Sequence, residues 1–332
     1  MTTALAAVTG AEGFIGSHLV EALVTSGHRV RAMAQYNSWG SHGWLEALHP
    51  DVLGQVEVVL GDVRDPGSVQ DLVEGADCVY HLAALIAIPY SYRAPHSYVE
   101  TNVLGTLNVL QAVRQAAVPR LVHTSTSETY GTAQTVPITE DHPVNCQSPY
   151  AASKAGADQL VASYVASFAT PAVTLRPFNT FGPRQSMRAV IPSVIGQLAA
   201  GAEVLRLGDL RPTRDFMYVR DTAGAFVAVG TAPHADVAGR VFNAGTGSEV
   251  SVGEAVRLIA QLMDSGAVVE EDQQRLRPAN SEVMRLLCDA SRLRDATGWK
   301  PEHSLESGLE HTIRFFRDPA NLARYKTSAY AI

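Results

Sequence analysis

The chain has 332 residues, 46% hydrophobic and 18% charged, which is enough apolar content for a sizeable core and excludes wholesale disorder. Its 26 basic residues against 33 acidic ones give a formal charge of −7, which argues against nucleic-acid binding, since that needs a clustered basic face. The three cysteines, Cys78, Cys146 and Cys288, are odd in number and far apart, so neither a disulfide framework nor a metal site is expected.

Residues 5–9 read as a buried strand, and Gly10 to Gly16 as a glycine-rich turn; Leu19, Val20, Leu23 and Val24 then recur at helical spacing as far as Gly27. The spacing predicts further strands at 29–33, 56–60, 78–82, 121–124 and 173–175, with helices between them, most clearly 98–117 and 150–168. Strands alternating with helices of this length imply right-handed crossovers and a doubly wound, parallel α/β sheet. After Asn179 the rhythm shortens, punctuated by Pro183, Pro192, Gly208, Pro212 and Pro233, which suits a smaller interleaved α/β lobe. A strand at 241–243 is expected to return to the main sheet, and 252–263 reads as a helix. The expected division is 1–180 plus about 217–246 for a dinucleotide-binding domain, and about 181–216 with 247–332 for a substrate-binding lobe. The N-terminus lacks the basic region of a signal peptide, and no stretch nears the ~18 apolar residues of a membrane span. The expectation is a soluble cytoplasmic protein.

The strongest local signal is Gly10-Ala-Glu-Gly13-Phe14-Ile15-Gly16, set between a strand and a helix. Gly10 permits the tight turn, Gly13 lets a pyrophosphate approach the backbone, and Gly16 lets helix and strand pack closely, with the helix N-terminus facing the anion. Tyr150 and Lys154 lie four apart and share a helix face. A lysine ammonium and a positive nicotinamide ring beside a tyrosine favour its phenolate and make it a usable base. The fifth strand runs into Thr124-Ser125-Thr126-Ser127-Glu128, and strand ends of a parallel sheet face the ligand crevice.

This G-x-x-G-x-x-G spacing, with Tyr150-Ala-Ala-Ser-Lys154 downstream, resembles the extended short-chain dehydrogenase/reductases and implies a Rossmann-type fold with NAD or NADP as cofactor. The resemblance implies that Asp62 and Val63 hold the adenine and that Leu82, Ala83 and Ala84 border the cofactor. Phe14, Ile15, Gln35 and Pro177 complete the expected cofactor set. The segment after the second strand, Ala34-Gln35-Tyr36-Asn37-Ser38, carries neither an acid for the ribose hydroxyls nor a nearby arginine fork for a 2′-phosphate, and the reading leans to NAD.

Thr126 stands where this superfamily keeps the Ser/Thr that hydrogen-bonds the substrate hydroxyl. Thr126-Ser127-Glu128 is similar to a run found in GDP-mannose-type 4,6-dehydratases and UDP-glucuronate decarboxylases. Other 4,6-dehydratases carry an aspartic acid at the place of Ser127, so here Glu128 does both jobs, or Ser127 or a water supplies the acid. The segments 81–92, 176–185, 208–216 and 277–283 resemble UDP-N-acetylglucosamine 4,6-dehydratases of legionaminic-acid-type pathways. The resemblance implies that Asn179, Arg214 and Arg277 meet a sugar diphosphate, with Arg188 as a further candidate; Arg214–Asp215 could instead be a local ion pair. It also implies a homodimer through the helices at 98–117 and 150–168. The expected activity is dehydration of a nucleotide-diphospho-hexose to a 4-keto-6-deoxy sugar, with uronic-acid decarboxylation and C4 epimerisation as the alternatives.

Overall fold

The computed structural model describes residues 3–326. Seven parallel strands form the central sheet: β1 (Leu5–Thr9), β2 (Arg29–Gln35), β3 (Val56–Gly61), β4 (Cys78–His81), β5 (Leu121–Thr124), β6 (Ala172–Pro177) and β7 (Val241–Ala244). Their order is β7-β6-β5-β4-β1-β2-β3, so the chain winds outward from β1 in both directions. The strand predicted at 241–243 does return to this sheet, pairing with β6 from Val241↔Thr174 to Ala244↔Pro177.

Alternation along the strands divides the core into two layers. Ala6 and Val8 of β1, Tyr80 of β4 and Val122 of β5 face one side, where they meet Leu19 and Leu23 of α1 (Phe14–Thr25). Ala7, Val79 and Leu121 face the other, against Val69 and Leu72 of α2 (Pro66–Val73), Val109 and Val113 of α3 (Gly105–Gln115) and Val161 of α4 (Pro149–Phe168). Period-two side chains buried on both faces are what a parallel sheet covered by helices requires. Local signals start the helices: Asp65 accepts the N–H groups of Gly67 and Ser68 ahead of Pro66, and Ser148 accepts that of Ala151 ahead of Pro149.

A third hydrophobic cluster lies beyond the sheet. It joins α5 (Val190–Ala199), α7 (Val252–Leu262) and α8 (Leu305–Arg317) through Ile195, Ile259 and Phe316. Between α5 and α7 in sequence, α6 (Val219–Thr231) packs back on the first layer through Phe226. Short strand pairs link these parts, among them Asn179–Phe181 alongside Phe216–Tyr218.

One predicted element differs. The helix expected at 98–117 is three pieces: a turn at Pro95–Tyr98, a π-helical stretch at Val99–Leu104, then α3. The cause is Asn102, fully buried, whose side chain takes the N–H of Leu85 at 2.8 Å and donates to the Leu85 carbonyl at 2.9 Å and to Ser153 Oγ at 2.9 Å. Single wide turns of this kind occur often at functional sites, and Thr101 within it lines the cleft described next.

Candidate active site

The order of strands reverses between β1 and β4, and ligands of open α/β sheets bind beyond the strand ends at such a point. Thr9 ends β1 opposite His81, and its Oγ1 accepts the N–H groups of Leu82 at 3.1 Å and Ala83 at 3.0 Å, drawing the chain after β4 against the glycine turn. The approach is too close for any side chain. Gly10 has φ +64°, and a Cβ there would stand 2.7 Å from Ala83 N; one at Gly16 would stand 2.1 Å from the Gly10 carbonyl oxygen. Gly13 caps α1 with no side-chain hydrogen bond, and the first turn holds no acid, which leaves the leading N–H groups for an anion.

A cavity of about 470 Å³ fills this crevice. Its wall holds Gly10, Gly13, Phe14, Ile15 and Gly16 from the turn, Gln35 from β2, and Asp62 and Val63 from the end of β3. Leu82, Ala83 and Ala84 follow β4, and Pro177 comes from β6. An N–H-lined turn that only glycine can make, beside a long apolar wall, fits a dinucleotide. Two features correct the sequence reading of the second strand's end. Arg64 lies on the same wall, its guanidinium closed on Asp62 at 2.6–3.1 Å, and those hydrogen bonds hold the Asp62 carboxyl below its usual range. An acid also reaches the place, Glu12, from within the glycine turn.

At the other end of the cavity β5 stops at Thr124 and the chain coils through Ser127–Tyr130. Thr126 begins that turn, its Oγ1 accepting the Glu128 N–H at 3.2 Å, and Thr126, Ser127 and Glu128 are all buried on the cavity wall. α4 contributes Tyr150 and Lys154 to the same wall, one helical turn apart. A further turn on, Asp158 anchors the helix to the sheet: it is bonded to His123 at 3.1 Å, Ser125 at 2.7 Å and Arg176 at 2.8 Å. Burial pushes the Asp158 carboxyl up, but those partners outweigh it and hold it low.

Burial dominates the electrostatics of the Tyr150–Lys154 pair. Burial pushes the Tyr150 hydroxyl upward, with a hydrogen bond from Thr126 opposing and the Glu128 charge adding to the rise. Burial also pushes Lys154 down to about 8, with Asp158 opposing. Desolvation penalises both charged forms together, so the lysine's field alone does not make a phenolate here.

A second cavity, about 240 Å³, continues from the first and shares Asn179, Thr180, Gln185 and Arg277 with it. Asn179 Oδ1 is buried and has no hydrogen-bond partner among the described residues, an acceptor left for a ligand. Arg214 is buried and donates to Glu282 Oε1 at 3.0 Å. It does not pair with Asp215, whose carboxylate takes the N–H groups of Thr246, Gly247 and Cys288, so the local ion pair is set aside. Arg277 Nη1 lies 3.6 Å from Glu282 Oε1 and 3.8 Å from Glu128 Oε2. Arg188 is exposed at the rim of this cavity. Sequence reasoning missed Glu282 and Glu12; both stand inside the segments it singled out, as acids with no role assigned.

Residues 7–312 match the family model described as GDP-mannose 4,6-dehydratase. A UDP-glucose 4-epimerase of Mycolicibacterium smegmatis is 34% identical over 317 residues, covering 94% of this chain and 98% of that protein. A dTDP-glucose 4,6-dehydratase of Xanthomonas campestris pv. campestris is 32% identical over 331 residues, 93% of this chain and 92% of that one. Among solved structures, a double mutant of a Streptomyces venezuelae dTDP-glucose 4,6-dehydratase with NAD bound superposes with a TM-score of 0.83 at 27% identity, covering 97% of this chain and 98% of that one.

Proposed function

The chain belongs to the GDP-mannose 4,6-dehydratase family of short-chain dehydrogenase/reductases, and from that premise we propose that it is a nicotinamide-dependent nucleotide-diphospho-hexose 4,6-dehydratase. The observation that carries the reading is the buried Glu128 carboxylate on one cavity wall with Thr126, Tyr150 and Lys154. Oxidation and re-reduction at C4 alone need no such acid; elimination across C5 and C6 does. When bound, the nicotinamide dinucleotide supplies a reversible store for the C4 hydrogen and adds the positive charge that Lys154 alone does not provide. Gly10, Gly13, Gly16, Asp62, Leu82 and Ala83 would hold it.

The Tyr150 phenolate receives the proton of the C4 hydroxyl, with Thr126 hydrogen-bonding that hydroxyl, and Lys154 steadies Tyr150 and would hold the nicotinamide ribose. Once C4 is a ketone the C5 hydrogen is acidic, and Glu128 takes it as the C6 hydroxyl departs with a proton from Glu128, Ser127 or water; the hydrogen lost from C4 then ends on C6, C5 regains a proton, and the product is a 4-keto-6-deoxy sugar. Asn179, Arg214 and Arg277 bind the sugar diphosphate, since guanidinium forks match phosphate oxygens in pairs, and Arg188 guards the rim. In domain terms, residues 1–180 with about 217–246 bind the dinucleotide, and about 181–216 with 247–332 bind the sugar nucleotide, residues 1–2 and 327–332 lying outside the described residues. The reading leans to NAD over NADP.

Decarboxylation of a nucleotide uronic acid is the second reading, favoured by one observation: Arg277 lies 3.8 Å from Glu128, where a cation would face a C6 carboxylate. Mass spectrometry of products from UDP-, GDP-, dTDP- and CDP-linked hexoses and uronic acids separates the cases. Loss of water without accumulation of free NADH is the expected outcome; loss of carbon dioxide, or an isomer of unchanged mass, would overturn it. Glu128→Gln should lower the dehydration rate by about 10²–10⁴-fold while leaving dinucleotide binding unchanged.

A further inference from the structure

No acid of the segment that follows β2 is among the described residues lining the dinucleotide end of the cleft. The glycine turn supplies one. Glu12 Oε1 accepts the N–H of Gln35, the last residue of β2, at 3.1 Å, while Glu12 Oε2 is buried with no hydrogen-bond partner among the described residues. Glu12 and Gln35 both line the cavity that holds Gly10 and Gly13. The backbone of Glu12 is fixed as well: its carbonyl accepts the Trp44 N–H at 2.9 Å, and Gly43, at φ +58°, comes so near that a Cβ would stand 2.8 Å from that oxygen. A side chain clamped on both sides, with one acceptor oxygen satisfied and the other orphaned, is costly unless a donor arrives with a ligand.

In this class of fold the adenosine ribose lies at the end of the second strand, where an acid meets its hydroxyls. Here that strand ends in Gln35, and the acid bonded to its last N–H comes from the first βα turn instead. We infer that Glu12 reads the adenosine ribose, its orphaned Oε2 accepting the 2′-hydroxyl proton, and that it thereby sets a preference for NAD(H) over NADP(H). This rests on the nicotinamide reading above and deepens it. A 2′-phosphate in that position would meet a carboxylate at hydrogen-bond range. Arg64, the cation on the same wall, is already closed on Asp62.

The test needs no sugar nucleotide. The full chain, stripped of co-purifying nucleotide, is titrated separately with NADH and NADPH, followed by cofactor fluorescence and calorimetry. Wild type should bind NADH about tenfold or more tightly than NADPH, the range expected for a hydrogen bond to a charged group. Glu12→Gln keeps the acceptor for Gln35 but loses the charge, and should bring the two affinities within about threefold; Glu12→Asp, which keeps the charge, should retain a preference for NADH. A wild-type preference for NADPH, equal affinities, or a Glu12→Gln variant that weakens both dinucleotides by one factor would overturn the inference and leave Glu12 a tie between the turn and β2. A chain that binds neither dinucleotide would overturn the nicotinamide reading itself.

Discussion

At the scale of the residue, the site is governed by burial. Tyr150 and Lys154 sit where water is excluded, and each is pushed toward its neutral form. Spacing identified the pair, because a four-residue interval on a helix needs only the local fold; its protonation was not legible, because desolvation comes from chain distant in sequence. Lys154 carries a sign that can be checked. Its pKa falls from the ordinary 10.5 to about 8 on folding. Below pH 8 both folded and unfolded states hold the proton, and the full cost of a buried charge is present. Between pH 8 and 10.5 the unfolded chain keeps its proton while the folded one releases it, so stability rises with pH across that window. Relative to Lys154→Met, the wild type should gain about 3 kcal/mol between those limits, read from urea midpoints of the cofactor-free protein. A difference that stays flat or falls with pH would show that Lys154 keeps its charge in the folded state.

At the scale of the element, the helix pattern at 98–117 predicted the element and missed its form. Apolar spacing registers which positions face the sheet, and it is blind to a buried polar side chain whose partners lie 17 residues back and 51 residues ahead. Asn102 trades regular helical geometry for three hydrogen bonds that lock the loop after β4 and α4 to one point. Asn102→Leu should leave the Leu85 backbone groups and Ser153 without that partner and cost about 3 kcal/mol. Denaturant unfolding measures the loss. Because Thr101 lies on the cavity wall, dinucleotide affinity should weaken in the same variant. α4 shows the opposite case. Its Ser148 cap, Pro149 and Tyr-x-x-x-Lys face are all local, and the helix runs as the sequence pattern predicts, with its start one residue earlier.

At the scale of the whole molecule, two adjoining cavities at one end of the sheet receive side chains from both outward progressions of strands and from the α5–α8 region. Among the described residues no helix is long and apolar enough to cross a membrane. Apolar surface remains on the outside of the π-helical stretch before α3 and of α4: Val99, Leu104 and Phe168 are each about half exposed, and Arg114 of α3 stacks over the Phe168 ring at 4.2 Å, joining these helices into one face. We propose that a second copy of the chain covers this face. Sedimentation should find a dimer at micromolar concentration. Leu104→Glu should weaken it by at least about 2 kcal/mol through an unpaired buried charge, and a wild-type monomer would dismiss the proposal.

The order of strands and helices, the glycine turn and the Tyr150–Lys154 pair were determined by the sequence alone, because each follows from period, punctuation or a four-residue interval that the chain carries locally. Only the tertiary structure decided that Glu12 reaches the end of β2, that Glu282 stands between Arg214 and Arg277, and that Arg277 approaches Glu128. Those contacts join segments up to 149 residues apart, Glu128 and Arg277. A charge at such separation acquires its partner, and therefore its role, only when packing of the sheet and the outer cluster brings the two segments within a few ångströms.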